Sequence, residues 1–464
     1  MKLHEQGDDE RTGHSPHQRQ VLTGPTGSRR RILILALIFF TAFGVRFLNW
    51  HAYRSEVSKV QTSVTLNYKH LARLIGDNGF ASLYKASSTT SNPDLLGHPP
   101  GYPIVLAIIY KFAPDSDTAV QIFQMILDSI CALIISLIAW QLMPAAVGVM
   151  AGLMAALAPQ FSWNSLLLLP DSLAALPVLL AVYLIIQSRN KRRLLSLLTA
   201  GSLIGLSCWL RANALLLAPF MALVFSFIFK RGERSSAILA FIGGACLLIA
   251  PLTIRNAVVF HRFIPVSLGA GQTLIEGLAD YNTDGSLGLP QTDIDLIRRE
   301  AEAANRPDYA SSLFSPDGIA RDRARITRGL AVIRAHPIWF LSVMVRRAIS
   351  MLRLERTPLR LATAESSAWL NLFQSLLRGF QKLFVTAIIL PFVLLGAGLL
   401  IYKRQFQTLA ILLVVPFYYF CIQSALHTEY RYVLVIHYFL FVLAAFALYT
   451  ITSKISHKFR ARQV

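Results

Sequence analysis

Three arginines sit at the edges of apolar runs and carry most of the chemistry this sequence can offer. They are Arg211 in Leu210-Arg211-Ala212-Asn213, Arg255 in Arg255-Asn256, and Arg431 in His427-Thr428-Glu429-Tyr430-Arg431-Tyr432. A guanidinium presents a planar fork of donors that matches a phosphate or a carboxylate. Other polar groups join them: Asp171 after Pro170, and His98 and Tyr102 in His98-Pro99-Pro100-Gly101-Tyr102-Pro103. Three prolines keep that last stretch out of an ordinary helix. A charge at the end of a membrane span is costly against lipid and usually faces a cavity or a partner. Any one of these residues can also serve as a snorkelling end group or a structural ion pair. Together on one side of a membrane, they fit an anionic headgroup such as a lipid phosphate. Transport is the competing explanation, but the apolar runs show neither a midplane charge series nor paired broken helices. Asp128 is the single deep acid and is expected to pair within the bundle.

Composition places these residues in a membrane. Of 464 residues, 54% are hydrophobic and 15% charged, where a soluble protein carries about 25% charged residues; mean hydropathy is +0.50. The net charge of +20 would suggest nucleic acid in a soluble chain. Here the basic residues cluster between apolar runs, as the positive-inside rule expects, so nucleic acid is not an expected partner. Cys131, Cys208, Cys246 and Cys421 all lie inside apolar runs without a metal-ligand spacing, and read as small core residues.

The expected fold is an all-α polytopic bundle of about ten transmembrane helices with interfacial helices in the outer loops. Residues 1–31 form a polar tail, expected to be disordered and cytoplasmic. Arg29, Arg30 and Arg31 hold the start of the first span, 32–48, inside. No small-residue cleavage site follows it, so it is expected to stay uncleaved. A first extracytoplasmic loop, 49–116, contains two stretches too short to cross, 64–75 and 103–112, which read as surface helices. Spans follow at about 118–142, 145–161, 166–186, 194–210, 215–229 and 237–254. The basic runs at 189–193 and 230–234 then fall on the cytoplasmic side, where such clusters belong. Residues 261–382 form a second outer region, with a helix over 292–304. The apolar stretch 336–354 is read as interfacial because it contains Arg346 and Arg347. The last spans are about 383–401, 410–422 and 432–451, and the basic tail 452–464 returns inside. The membrane domain therefore covers 32–451, with both termini cytoplasmic.

With these motifs in order, the chain resembles the bacterial polyprenyl-phosphate-sugar glycosyltransferases of GT-C fold, the protein O-mannosyltransferase and aminoarabinose-transferase group. The resemblance rests on His98 to Pro103 and on Leu169-Pro170-Asp171-Ser172-Leu173 and Leu210-Arg211-Ala212-Asn213. It continues through Ala250 to Asn256, Phe263-Ile264-Pro265-Val266-Ser267, Ala335-His336-Pro337 and Glu429-Tyr430-Arg431-Tyr432, and covers about 32–450. It implies an enzyme of a bacterial inner membrane that takes a sugar from a polyprenyl-phosphate donor. The sugar passes to an acceptor hydroxyl, on a glycan, lipid or protein, at the extracytoplasmic face, with inversion. His98, Tyr102, Asp171, Arg211, Arg255, Asn256, Glu429, Arg431 and Tyr432 are the implied substrate-binding residues. No cofactor is implied; the family is mixed in its use of a divalent metal, which stays open here although no ligand spacing supports one.

Such transfer needs a carboxylate to take the acceptor's proton and cations to stabilise the leaving phosphate. The family places an Asp in the first outer loop, about four residues before a Tyr that precedes Leu-Ala. The matching frame here runs Val64-Thr65-Leu66-Asn67-Tyr68-Lys69-His70-Leu71-Ala72, with valine in the acid's place. Glu56 is the nearest acid and the candidate base; Asp77 and Asp94 are the loop's other acids. The alternative function is a catalytically degenerate protein that binds or transports a lipid-linked sugar on the same fold.

Overall fold

The computed structural model describes residues 25–59, 63–84, 97–189, 193–354 and 368–460, and among these there is no β-strand. The apolar runs become helices because a helix satisfies its backbone hydrogen bonds within one segment, the only arrangement a lone segment can use in lipid. The chain begins with α1 (Pro25–Lys59), α2 (Ser63–Asn78), α3 (Gly101–Phe112), α4 (Asp117–Leu142) and α5 (Ala145–Leu157). Next come α6 (Pro159–Asn164), α7 (Asp171–Ser188), α8 (Leu194–Leu210), α9 (Leu217–Ala222) and α10 (Phe225–Ile228). The long α11 (Arg231–Phe260) leads to α12 (Ala270–Ala279), α13 (Asp293–Ala304), α14 (Gly318–Ala335) and α15 (Pro337–Ser350). The chain finishes with α16 (Ala368–Gln381), α17 (Thr386–Tyr402), α18 (Phe406–Cys421) and α19 (Leu434–Arg460).

Six helices among the described residues are long and apolar enough to cross a membrane, or up to eight if each of two bent pairs counts as one span. Four further apolar stretches are shorter: Gly101–Phe112, Ala145–Leu157, Leu194–Leu210 and Ala212–Ile228. The chain is thus a polytopic all-α membrane protein. Two expected spans are shaped differently from the continuous helices anticipated. The third breaks at Ala158 because Pro159 follows, and the residue before a proline is pushed out of the α region; Ala158 has ψ 123°. The sixth is split into α9 and α10. At the other extreme, α1 runs on to Lys59, so the first loop begins with a continued helix.

The bundle closes on small residues and one buried polar knot. In the α8–α11 contact, a Cβ on Gly201 or Gly205 of α8, or on Gly244 of α11, would strike the other helix's backbone. Such glycines let two helix backbones approach closely in lipid. Asp128 of α4 is the expected pairing acid: Arg46 of α1 donates to it at 2.6 Å and Tyr438 of α19 at 2.7 Å. Arg46 also donates to the carbonyls of Ala42 and Ala156, so this knot joins four helices and is structural.

The short helices expected between the spans are also present. The 64–75 and 103–112 stretches are α2 and α3. Lys69 and Arg73 of α2 pair with Asp117 and Asp115 at 2.7 and 3.0 Å, clamping α2 over the turn between α3 and α4. Thr292 caps α13, its hydroxyl accepting from the Asp295 N–H, as a threonine at that place should. At His336 the chain bends by 106° between α14 and α15. Ile338, Leu341, Val345 and Ile349 are exposed along one stripe of α15 while Val343 and Arg347 are buried on the other side. That is the amphipathic pattern of a helix at a membrane surface.

Candidate functional site

The site is assembled where three turns meet: the loop before α3, the start of α7 with the end of α8, and the 427–433 segment before α19. Each turn is held by specific packing. Gly101 opens α3 against the end of α8, where an added Cβ would lie 2.7 Å from the Trp209 carbonyl carbon and 2.9 Å from its Cβ. Only a glycine fits that approach, and it sets the His98–Tyr102 turn beside Arg211. From α4, Gln124 donates to the carbonyls of Ser165 and Leu167 at 3.0 and 2.6 Å, and Gln121 to Leu166 at 2.9 Å. These bonds secure the irregular segment leading to Asp171. Tyr102 joins the same network by donating to Gln124 at 2.7 Å.

The charged centre is a pair of arginines around one aromatic ring. Arg211 donates through Nη2 to Asp171 Oδ2 at 2.6 Å and lies 2.5 Å from its other oxygen. The Arg211 guanidinium stacks 4.2 Å from the centre of the Tyr432 ring, and that of Arg431 lies 5.4 Å from the same ring. Glu429 accepts from Arg431 at 2.7 Å and from the Tyr432 hydroxyl at 3.1 Å. Asn213 donates to the Tyr432 carbonyl at 3.3 Å. Asp171, Arg211, Asn213, Tyr419, Arg431 and Tyr432 line a cleft of about 260 Å³, counting its solvent-open mouth. Among the described residues, the buried Nε–H groups of Arg211 and Arg431 have no hydrogen-bond partner. A buried donor left unpaired is costly, so two of them beside one cleft suit an anion with several acceptor oxygens.

His98 borders this centre. Its ring tilts against Tyr68 at 5.3 Å, and Tyr68 meets Tyr102 edge-on at 5.2 Å. Burial, reinforced by the charges of Arg211 and Arg431, lowers the His98 pKa to about 4. The ring is therefore neutral at ordinary pH.

The expected site residues thus fall into two groups. His98, Tyr102, Asp171, Arg211, Glu429, Arg431 and Tyr432 come together. Arg255 and Asn256 have another setting, buried in α11: Arg255 donates to the Leu83 carbonyl at 2.9 Å, and Asn256 to the Ile264 and Val266 carbonyls at 2.8 and 2.9 Å. They brace the outer loops. Glu56 lies on the last turns of α1, its side chain outside what the structure describes, and Asp94 also lies outside the described residues. Asp77 is exposed at the end of α2. Val64 packs, half-buried, against the cluster of Tyr68, Tyr102 and Leu168.

A second polar cluster, at the end of α12, brings His427 and Arg347, both singled out in the sequence, to Asp280, which was not. Asp280 accepts from His427 at 2.8 Å, and Arg347 of α15 lies 3.8 Å from the same carboxylate oxygen. Arg347 also donates to the Ser424 carbonyl at 2.7 Å and to that of Gly277. Its place inside an apolar run was the available signal; nothing local marked Asp280. Among the described residues, no group of three or more His, Cys, Asp or Glu side chains could hold a metal ion.

Residues 97–254 match the family model described as dolichyl-phosphate-mannose-protein mannosyltransferase. That segment holds His98, Asp171 and Arg211 and the helices that position them. No curated protein matches the chain. The fold is similar to that of the oligosaccharyltransferase AglB from the archaeon Archaeoglobus fulgidus, solved with an inhibitory peptide and a dolichol-phosphate. The TM-score is 0.54 at 15% identity, over 95% of this chain and 52% of that one. The apo form of the Archaeoglobus fulgidus oligosaccharyltransferase gives 0.54 at 16%, over 93% and 51%. ArnT from Cupriavidus metallidurans, bound to undecaprenyl phosphate, gives 0.36 at 13%, over 92% and 78%. The chain spans about half the length of the solved oligosaccharyltransferase. With the mannosyltransferase match over residues 97–254 and this likeness over nearly its whole length, the chain has the GT-C fold.

Proposed function

We propose that this protein is an integral-membrane glycosyltransferase that takes a sugar from a polyprenyl-phosphate donor and passes it, with inversion, to an acceptor hydroxyl at the extracytoplasmic face. The observation that carries the reading is the arginine pair. Two guanidinium groups flank the Tyr432 ring, each with a buried Nε–H that no described residue satisfies. As the bond from the sugar's C1 to the phosphate breaks, negative charge grows on the phosphate oxygens, and fixed cations stabilise it most at that moment. Asp171 and Glu429 hold the two arginines in place, so little reorganisation is needed when the anion arrives. His98 and Tyr102 form the wall through which the first outer loop meets this centre. The chain would sit in a bacterial inner membrane with both termini cytoplasmic. A polyprenyl-phosphate is the donor that the mannosyltransferase match favours. A second reading, a protein that binds a lipid-linked sugar without transferring it, is favoured by the valine at position 64 and the apolar packing around it.

The test is binding of undecaprenyl phosphate to the purified protein. Loss of one charge-assisted contact is worth about 1.5–3 kcal/mol, so Arg431→Ala should weaken binding by about ten- to a hundredfold. The exposed Arg298→Ala serves as control and should leave it unchanged. Equal affinity in the Arg431 variant and the wild type would remove the phosphate-binding role. Turnover of undecaprenyl-phosphate mannose then separates the enzyme from the silent binder.

A further inference from the structure

The transfer reaction lacks a base where the resemblance expects one, since position 64 is valine. Four groups border the arginine centre and could take its place. Asp171 is committed to Arg211, which lies within 2.6 Å of both its oxygens. Glu429 is engaged, one oxygen accepting from both Arg431 and the Tyr432 hydroxyl. His98 is a weak base, held neutral by burial and the two arginines, and among the described residues its ring packs on Tyr68 and pairs with no carboxylate. His427 differs from all three.

His427 is built into the structure from two sides. Its backbone N–H donates to the Thr273 carbonyl of α12 at 2.7 Å. A Cβ on Gly277, one turn further along α12, would lie 2.7 Å from the Leu426 carbonyl carbon. The 426–427 backbone is therefore pressed against α12, and a glycine is required for that approach. The helix ends at Asp280, whose Oδ2 is 2.8 Å from His427 Nδ1. With Nδ1–H donating to Asp280, the imidazole lone pair lies on Nε2. The ring is a quarter exposed, and its centre is 6.5 Å from that of Tyr432, edge to face. Tyr432 is the ring on which Arg211 stacks. A histidine oriented by a solvent-exposed carboxylate thus stands one aromatic ring away from the phosphate-binding pair.

We propose that His427 is the general base of the transfer, with Asp280 as the residue that positions it; this rests on the glycosyltransferase reading above. Nε2 takes the proton of the acceptor hydroxyl while that oxygen forms its bond to the sugar's C1. The bond from C1 to the phosphate oxygen breaks, its electron pair leaves on the phosphate, and Arg211 and Arg431 stabilise the charge. The proton rests on His427 as imidazolium beside Asp280 and then passes to solvent. A carboxylate that fixes the tautomer and stabilises the imidazolium is a general device for a histidine base.

The surroundings set the pH at which this base works. Burial opposes the charged imidazolium, but the hydrogen bond and charge of Asp280, with Glu429 beyond it, outweigh it and raise the His427 pKa. Glu276 on α12 is itself displaced: burial, with Asp293 beside it, raises its pKa to about 8. Below that pH it is largely neutral, and Asp280 and Glu429 are the negative charges facing the ring. Arg347 from α15 lies on the far side of Asp280, and Tyr432 presents a neutral ring. A raised pKa means the base form appears only as pH climbs through it, so the rate should rise with pH along an acid limb displaced above the usual histidine range.

The experiment follows cleavage of undecaprenyl-phosphate mannose by the full-length protein, with water as the acceptor whose proton His427 takes, as a function of pH, alongside binding of undecaprenyl phosphate. His427→Gln should slow cleavage by about a hundred- to ten-thousandfold while lipid-phosphate binding stays at the wild-type level. Asp280→Asn, which keeps the shape but removes the charge, should move the acid limb to lower pH as well as lower the plateau. A purely structural role for Asp280 would lower the rate without moving the limb. Undiminished cleavage in His427→Gln, or an unmoved limb in Asp280→Asn, overturns the assignment and leaves the glycosyltransferase reading standing. A wild type that binds the lipid phosphate yet never cleaves the mannosyl donor overturns both.

Discussion

Replacing Gly101 by alanine tests whether the contact between α3 and α8 positions the arginine centre. The added Cβ would lie 2.7 Å from the Trp209 carbonyl carbon, where ordinary contact begins near 3.4 Å. Relief therefore requires at least about 0.7 Å of separation between the start of α3 and the end of α8, and more for the Trp209 carbonyl oxygen, which lies nearer still. The obstruction is backbone, which cannot rotate away as a side chain would. Overpacking of this kind costs about 1–3 kcal/mol. Against it stands only the small gain from replacing glycine inside a helix, about 0.5–1 kcal/mol, so the clash decides the sign. Trp209 is two residues before Arg211, and a misplacement approaching 1 Å can cost about a hundredfold in rate. The assay is thermal unfolding in detergent micelles paired with undecaprenyl phosphate binding and donor cleavage. Gly398→Ala is the control, because a Cβ there meets nothing within 4 Å. Gly101→Ala should unfold at lower temperature than the wild type and lose most of its donor cleavage, while Gly398→Ala keeps both. If Gly101→Ala matched the control in both measurements, the close approach would not position Arg211.

Two further outcomes follow from the charges outside the spans. A Glu276 carboxyl with its pKa raised from 4.5 to about 8 contributes stability that is fully present below pH 4.5 and lost as pH rises through about 8. Glu276→Gln should therefore raise the unfolding temperature more at pH 9 than at pH 6; an equal effect at both would contradict the raised pKa. Labelling of single cysteines in intact cells checks the topology: Ala303→Cys on α13 should react with an impermeant reagent and Arg404→Cys should not. The reverse pattern would invert every span.

What this sequence determined by itself is its all-α, multi-span membrane character and the inventory of reactive groups. Hydropathy and helical period are local properties, so α2, α3, α4 and α13 were legible within a few residues, as was the pairing fate of a lone deep acid, Asp128. Helix breaks were less legible, because α9 and α10 interrupt a run whose average hydropathy is high throughout. The motif residues His98, Tyr102, Asp171, Arg211, Glu429, Arg431 and Tyr432 could be named in advance because each is a polar residue at the edge of an apolar run. Which of them meet was decided by tertiary structure. Arg211 and Tyr432 are 221 positions apart in the chain and stack at 4.2 Å, whereas Arg255, equally well placed in sequence, is engaged by the Leu83 carbonyl. Asp280 and His427, separated by 147 positions, pair because Gly277 lets the 426–427 backbone lie against α12. Contacts of that kind depend on backbone approach between distant segments, and no local pattern of residue types encodes it.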